Sequence, residues 1–558
     1  VNAPGRRLAL PLLAAALAFV VCGPLLGRGF VLSYDMVFAP RQYFVPDAFG
    51  AGATLPRSVP ADAAVALATT VLPGDLVQKA VLLLAVFGAA LGAGRLVPTE
   101  HLGTRLVAAT AYAWTPYFAE RLFIGHWPLL LTYAALPWIV RAGLAVRAQE
   151  AQGLPRLVLA CAPAVLTPPG GVLAAAAMVV AAGSRRLWQT VPLAVVLNLP
   201  WLVPTFLNAG GTFSDPAGVT AFSARAESWG PALLSVLGLG GIWNAETVPG
   251  SRAVPLVPVL TLIVVAIAIA GLRPLAQRWG KAPVRSLTAL GVLGVLLASL
   301  ATLPGGGTLL AAATRYLPGA GLLRDAQKWV AWWALPLALG FALAVEAAAA
   351  KLKSGRVALV TAAVVFPLLT MPDLAWGGWG RLATAQYPAD WAAVSEKLGD
   401  RPGDVLTVPL SAFRGFAWND GRTQLDPAPR VLPQPVLMDD TLQVGAERVA
   451  GEDPRIGDVR AAASARELTD AGVGWILVEH GTPGYVDPRW LSGATPVWSG
   501  EWLTLYRTPG VPAVKAVSWT PVLLANGVAL ALLCVALLCR MLPMRTLGRG
   551  RISPARKE

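Results

Sequence analysis

Charge is what this 558-residue sequence has least of. Asp, Glu, Lys and Arg make up 14% of it and apolar residues 55%, whereas a soluble domain carries about 25% charged residues. That excludes an ordinary soluble protein and points to a chain dissolved in a bilayer. Histidine is scarce too, at three residues, so a His-rich metal centre has no material. The four cysteines, Cys22, Cys161, Cys534 and Cys539, all fall in apolar runs. They form no disulfide framework and show no metal-ligand spacing. Internal repeats and low-complexity segments are missing, as is the inverted repeat that marks many secondary transporters. The net charge of +14 would suit nucleic acid in a soluble protein. In a membrane protein it raises the question of sidedness instead, and no nucleic-acid partner is expected.

What is there is a series of apolar runs. They predict spans near 8–27, 76–95, 103–118, 127–146, 154–167, 169–183, 188–208, 254–271, 285–303, 327–349, 356–371 and 520–540, about twelve in all. The first run, at about 19 residues, is longer than the h-region of a cleavable signal. Several of the others fall short of the ~20 residues a span needs. The weakest are the pair around Thr167-Pro168-Pro169-Gly170-Gly171, where a turn or a broken hairpin is expected. Arg6 and Arg7, Arg141, Arg147 and Arg156, Arg185 and Arg186, Arg273 to Arg285, Lys351 to Arg356 and the basic tail occupy alternate connections. The positive-inside rule then places both termini in the cytoplasm.

Four segments fall on the opposite, extracytoplasmic face: loops 28–75, 209–253 and 304–326, and the block 372–519. That block is richer in Asp, Glu, Pro and Arg. Its strand-like runs Val405–Val408, Gly474–Val478 and Trp502–Tyr506 are separated by helical stretches at 388–399 and 458–471. A small α/β domain is the natural reading. The chain thus divides into a multi-span region 1–371, an extracytoplasmic domain 372–519, and a last helix with a basic cytoplasmic tail, 520–558.

Cations that break the sidedness rule are informative. Arg41, Arg57, Arg121, Arg225, Arg252, Arg315, Arg324 and Lys328 lie at extracytoplasmic span ends, among the acids Asp35, Asp47, Glu120, Glu227 and Asp325. Each can be a locally paired loop residue. As a set they suit an anion, because arginine is the planar, bidentate partner of phosphate. Three stretches concentrate the signal: Glu120-Arg121…Gly125-His126-Trp127, Phe222…Arg225-Ala226-Glu227-Ser228-Trp229, and Arg324-Asp325-Ala326-Gln327-Lys328-Trp329. If the third is helical, Arg324 and Lys328 share a face at the bilayer surface, either as a phosphate clamp or as snorkelling anchors. Residues 239–244 are too short to span and read as interfacial or re-entrant.

The first loop holds Asp35, between Tyr34 and Met36 and about eight residues past the first span. A carboxylate against an apolar surface can serve as general base, or it can pair locally, for instance with Arg41. Residues 60–70 predict a mildly amphipathic interfacial helix. Trp376, Trp379, Trp391, Trp418 and Trp490 can stack on sugars, anchor at the interface, or fill a domain core. Residues 413–419 and 425–430 suit either glycan contact or packed loops.

Tyr34-Asp35-Met36, Glu120-Arg121…Gly125-His126 and Leu323-Arg324-Asp325…Lys328, set in this architecture, resemble the GT-C membrane glycosyltransferases of mycobacteria and related actinobacteria. The resemblance implies a mostly α, polytopic fold with an extracytoplasmic C-terminal domain. It implies transfer of a sugar, arabinofuranose or mannose, from a polyprenyl-phosphate donor to a cell-envelope glycan or glycolipid acceptor outside the cytoplasmic membrane. Asp35 would be the base of an inverting displacement. Arg41, Glu120, Arg121, His126, Arg225, Glu227, Arg324, Asp325 and Lys328 would hold the donor phosphate and sugar. Many members carry a paired acid in this loop. Here Asp47 is twelve residues from Asp35, so no metal-binding pair is expected. No resident cofactor is implied, and a divalent cation stays open. Two other readings remain, a flippase or transporter of lipid-linked sugars and a non-catalytic scaffold of envelope assembly. The first calls for charges near the bilayer midplane and the second for a dispensable Asp35.

Overall fold

The computed structural model describes residues 3–52, 58–207, 214–453, 455–512 and 518–542. Arg57 and the basic tail beyond 542 lie outside these. Among the described residues, eight helices are long and apolar enough to cross a membrane, or nine if the bent pair Arg356–Thr370 and Pro372–Trp379 counts as one span. The expected twelve are not all of spanning length. The run at 103–118 breaks where Thr115 turns extended and Pro116 opens a new helix, giving Leu102–Ala113 and Pro116–Phe123. Proline fits the first helical position and disfavours a helical residue before it. Thr115 caps the new helix, its hydroxyl accepting from the Phe118 N–H at 3.2 Å. The pair at 154–183 becomes two short helices, Gly153–Cys161 and Pro168–Ala182, with Thr167 extended between them.

The most buried spans are Trp127–Arg147 and Ala326–Lys351. Glycines let backbones approach at the bundle centre. A Cβ on Gly271 would lie 1.7 Å from the Gly340 carbonyl oxygen, and one on Gly340 would lie 2.2 Å from that of Ala268. Small residues at such crossings are how helices associate without a hydrophobic driving force. The Gly74–Leu96 helix begins against the Ala39 and Pro40 carbonyls of the first loop. It ends about 34 Å away, at 1.5 Å per residue, where Arg95 joins Arg105, Arg141 and Arg156. The cations of several connections therefore gather at the end of the bundle opposite the first loop.

Between residues 404 and 507 runs a five-stranded mixed sheet. Its order is Thr495–Ser499, Leu503–Arg507, Val473–Glu479, Asp404–Val408, Val436–Leu437. The first three strands are antiparallel neighbours and the last two pairings are parallel. Val473–Glu479 is buried along its whole length, as expected of a central strand covered on both faces. Trp391, Trp475 and Trp490 lie in the cores flanking the sheet, so Trp391 and Trp490 fill space. Trp418 stacks on Phe416, and Trp376 and Trp379 remain exposed.

The sheet region is tied back to the bundle through the first loop. Phe30–Val31 pairs antiparallel with Thr384–Ala385, and the Gln78 amide satisfies both the N–H and the carbonyl of Val31 at 2.8 Å. The short helix Ala61–Ala68 appears where residues 60–70 predict one. Its Asp62 pairs with Arg430 at 3.2 Å, so the helix is anchored to the sheet region rather than only to the interface.

Candidate functional site

Asp35 sits on a turn gripped from two sides. Its own N–H donates to the Ile124 carbonyl at 3.1 Å. One residue earlier, the Tyr34 N–H donates to Thr423 at 2.7 Å and the Tyr34 carbonyl accepts from Leu425 at 2.8 Å. The second grip comes from a hairpin of Phe413–Gly415 and Thr423–Leu425, nearly 400 residues along the chain. Tyr34 takes a positive φ of 46°, a conformation that disfavours a side chain and tends to mark functional turns. Its hydroxyl donates to Glu246. Burial and that carboxylate push the phenol up to about 12.

Gly125 makes the approach possible. It has φ 83°, and a Cβ there would lie 2.1 Å from the Met36 nitrogen and 2.6 Å from the Ser33 oxygen. The Asp35 turn thus rests directly on the backbone of the 124–126 loop. His126 follows at once, its Nε2 3.2 Å from Asp35 Oδ2. Asp35 is 39% exposed, so the carboxylate faces open space beside the imidazole instead of being sunk in an apolar surface. Arg41 does not pair with it; it is exposed and lies over the Tyr43 ring.

Behind His126 a polar network runs into the protein. Arg121 is fully buried and donates to His126 Nδ1 at 2.8 Å, to Asp325 through both terminal nitrogens at 2.7 and 3.1 Å, and to Gln327. Burial works against a charged Asp325, but Arg121 and Lys328 beside it hold its carboxyl well below the usual range. Gln327 passes the network on, donating to Glu120 at 3.1 Å and to the Gly240 carbonyl at 3.2 Å. Glu120 also accepts from the Ile242 N–H at 3.2 Å. Residues 239–244 are therefore a glycine-rich loop folded onto Pro116–Phe123.

Glu120 and Glu227 face each other. Burial and the neighbouring Glu227 push Glu120 well above the ordinary carboxyl range. Burial would raise Glu227 as well, but Arg252, 2.7 Å away, reverses the shift. Together they brace the loop against the helix, Glu227 accepting from the Gly241 N–H and Glu120 from that of Ile242.

Arg324 and Lys328 part company. Residues 320–330 form two 3-10 turns broken at Arg324–Asp325, not an α-helix. At three residues per turn, positions four apart do not share a face. Arg324 pairs with Glu452 at 3.2 Å and lies over Phe222, fastening the bundle to the sheet region. Lys328 is 7% exposed beside Asp325, and its ammonium makes no hydrogen bond or ion pair with a described residue. Arg225 is exposed and, among the described residues, its side chain reaches the Trp243 carbonyl at 3.5 Å.

The sequence stretches therefore bring Asp35, His126, Arg121, Asp325 and Lys328 into one corner and set Glu120 and Glu227 behind it. Arg41 and Arg225 stand outside, and Arg324 lies near Lys328 but is paired with Glu452. Asp47 lies elsewhere, against Gly52 and among Asp404, Asp453 and Arg455. Tyr34, Gly125, Glu246, Arg252 and Gln327 complete the corner. Of these, Tyr34, Gly125 and Gln327 stand inside the stretches that the sequence singles out and Arg252 among its misplaced cations, whereas Glu246 left no signal. Beside Arg252 opens a pocket lined chiefly by apolar residues such as Leu239, Val264, Leu337, Phe341 and Phe366. Among the described residues no three His, Cys, Asp or Glu side chains converge on a metal position.

No protein-family model matches the chain, and no curated protein does. Among solved structures, the cryo-EM structure of arabinofuranosyltransferase AftD from mycobacteria matches at 18% identity and a TM-score of 0.54, over 91% of this chain and 40% of that one. A mutant of the same enzyme matches at 16% and 0.54, over 92% and 42%. The chain spans about two fifths of that enzyme's length. At this identity the likeness is one of fold alone.

Proposed function

We propose that a chain with this fold and this corner is a membrane glycosyltransferase. It moves a sugar, arabinofuranose before mannose given the fold it shares, from a polyprenyl-phosphate donor to an envelope glycan or glycolipid. The reading sets Asp35 and residues 372–519 on the extracytoplasmic side and both termini in the cytoplasm. One observation carries it: an accessible carboxylate beside His126 shares a corner with the Lys328 ammonium, which makes no hydrogen bond or ion pair with a described residue. A carboxylate and a nearby cation are what displacement at a phosphate-linked anomeric carbon requires.

In the proposed step the acceptor hydroxyl oxygen bonds to the anomeric carbon while its proton passes to Asp35. The anomeric C–O bond to phosphate breaks, and its electron pair leaves on the lipid phosphate. Attack from the opposite face inverts the anomeric centre and needs one base, not the carboxylate pair of a hydrolase. In this reading Lys328 balances the growing phosphate charge, the kind of stabilisation that usually contributes most. Arg121 is spent on His126, Asp325 and Gln327 and serves as scaffold. The apolar lining of the pocket beside Arg252 suits part of a polyprenyl tail.

The test uses purified protein in nanodiscs, with radiolabelled polyprenyl-phospho-arabinose or polyprenyl-phospho-mannose and a short arabinan or mannan acceptor. Label should appear in the acceptor with release of polyprenyl phosphate. Counterflow of lipid-linked sugar in liposomes without transfer would instead establish a transporter.

A further inference from the structure

We infer that residues 376–381 seat the protein against the bilayer surface, with Trp376 and Trp379 in the headgroup layer and the Arg381 guanidinium on the phosphate of a phospholipid. The inference holds whether or not the protein transfers sugar. It adds a cation that the charge pattern of the sequence did not single out.

In Trp376-Gly377-Gly378-Trp379-Gly380 every residue has a positive φ, from 56° to 85°. They form a left-handed turn. The Gly380 N–H closes it on the Trp376 carbonyl at 3.2 Å, and the Leu382 N–H on that of Gly377 at 2.8 Å. Glycine takes this conformation freely, whereas a tryptophan is strained by it. What the strain achieves is the outward placement of two large rings. Gly377 and Gly378 face the protein: a Cβ on the first would lie 3.0 Å from Leu25, and one on the second 2.5 Å from the Phe123 ring. Trp376 and Trp379, three apart and so on one side of a helical turn, are left 51% and 72% exposed. Strain held where it gains so little packing points to a partner.

The surroundings identify that partner. Trp376 meets Phe19 edge-on at 5.8 Å, and a Cβ on Gly23, just past the first helix Ala3–Cys22, would lie 3.3 Å from its ring. The turn itself ends the bent pair begun by Arg356–Thr370, after a bend of 67°. Two spans therefore end here, at the level where tryptophans gather in membrane proteins. Arg381 follows at once. It is exposed, its guanidinium lies 4.8 Å from the Phe123 ring centroid, and one terminal nitrogen donates to the Val248 carbonyl at 3.2 Å. It makes no ion pair with a described residue. The neighbouring carboxylate, Asp373, is taken by Ser251, which donates from its N–H at 2.8 Å and its hydroxyl at 2.6 Å. A guanidinium laid on a ring face with N–H donors to spare suits bidentate phosphate binding. At the ends of two spans, that phosphate is a phospholipid headgroup. Phe123 also precedes Ile124, whose carbonyl accepts from the Asp35 N–H at 3.1 Å. The headgroup layer thus reaches the edge of the Asp35 corner, so a lipid-linked phosphate would meet the corner at its own depth.

Two arms test it, both on the full-length protein from nanodiscs of phosphatidylglycerol and phosphatidylcholine. In the first, 19F spectra of fluorotryptophan-labelled protein are assigned for the two rings with Trp376→Phe and Trp379→Phe. Lipids spin-labelled at the top of the acyl chain should broaden both resonances. Broadening of both by a water-soluble gadolinium chelate alone would mean that the rings face solvent, free for a glycan, and would overturn the proposal. In the second arm, native mass spectrometry counts the phosphatidylglycerol retained on release into detergent. Arg381→Ala should retain about tenfold less than wild type, and Arg381→Lys an intermediate amount, with polyprenyl-phosphate affinity unchanged in both. Equal retention by wild type and Arg381→Ala overturns the proposal; if polyprenyl-phosphate affinity falls as well, Arg381 belongs to the substrate site instead. The first arm needs no change at Arg381, so it decides the matter even where that variant fails to fold.

Discussion

Gly125 fixes how closely the Asp35 turn can approach His126. Any Cβ at this position enters the space of Met36 and Ser33, so Gly125→Ala must push the turn away and open the 3.2 Å contact. Transfer should fall by about 10²-fold while the Tm in detergent moves little, because the change is confined to one loop. Lys328 and Arg324 should likewise separate in binding assays. Lys328→Ala should weaken donor binding by roughly tenfold or more, the scale of one charge-assisted hydrogen bond. Arg324→Ala should leave donor affinity intact and lower Tm, because its partner is Glu452. The charge pattern in the sequence supplied both residues, but it could not separate their roles. That separation depends on a 3-10 geometry which no periodicity in so short a segment reveals. Asp47 makes a pH prediction. Burial, then the nearby Asp404, raises its carboxyl to about 6, above the ordinary value of about 3.9. A raised acid contributes stability fully below its unfolded pKa, and this is lost as pH rises through the folded one. Asp47→Asn should therefore raise Tm relative to wild type at pH 8, by the equivalent of about 1–3 kcal/mol, with the difference vanishing toward pH 4.

Among the elements, the hairpin 413–425 was the least legible. Its short strands look like loop sequence, and its partner Tyr34 lies in another region of the chain altogether. What holds the hairpin is a buried cluster in which Arg414 meets Glu479 at 2.9 Å and Asp426 at 3.2 Å. Burial pushes Glu479 well above the ordinary carboxyl range, and Arg414 beside it works against that. Arg414→Ala would leave two acids buried without their cation, a loss of roughly 3–5 kcal/mol. Thermal unfolding in detergent should show it, together with reduced transfer as Tyr34 loses its strand partner. The long spans were readable because apolar length is a simple signal. The breaks at Thr115 and Thr167 were partly written in the following prolines, and the turn at Thr167-Pro168 was anticipated. That at Thr115-Pro116 was hidden inside a run of apolar residues.

Across the whole molecule, the two ends of the bundle differ in kind. One end gathers Arg95, Arg105, Arg141 and Arg156, in keeping with the cytoplasmic side proposed from charge bias. The other joins the first loop, the 116–126 segment, the 225–252 loop and the sheet region around Asp35. The sequence identified most of the charged members of that corner because charges are so rare in this chain. It could not show that Arg121 faces inward or that Arg324 is a fastening, since both look the same as a free cation when read in one dimension. The account stands on Asp35 as the base of a polyprenyl-phosphate-dependent transfer. The most direct measurement is single-turnover transfer by wild type and Asp35→Asn, with donor affinity measured on the same nanodisc samples. Asp35→Asn should bind donor as wild type does and lose transfer by about 10²–10⁴-fold, the range for a general base; transfer at the wild-type rate would contradict the assignment.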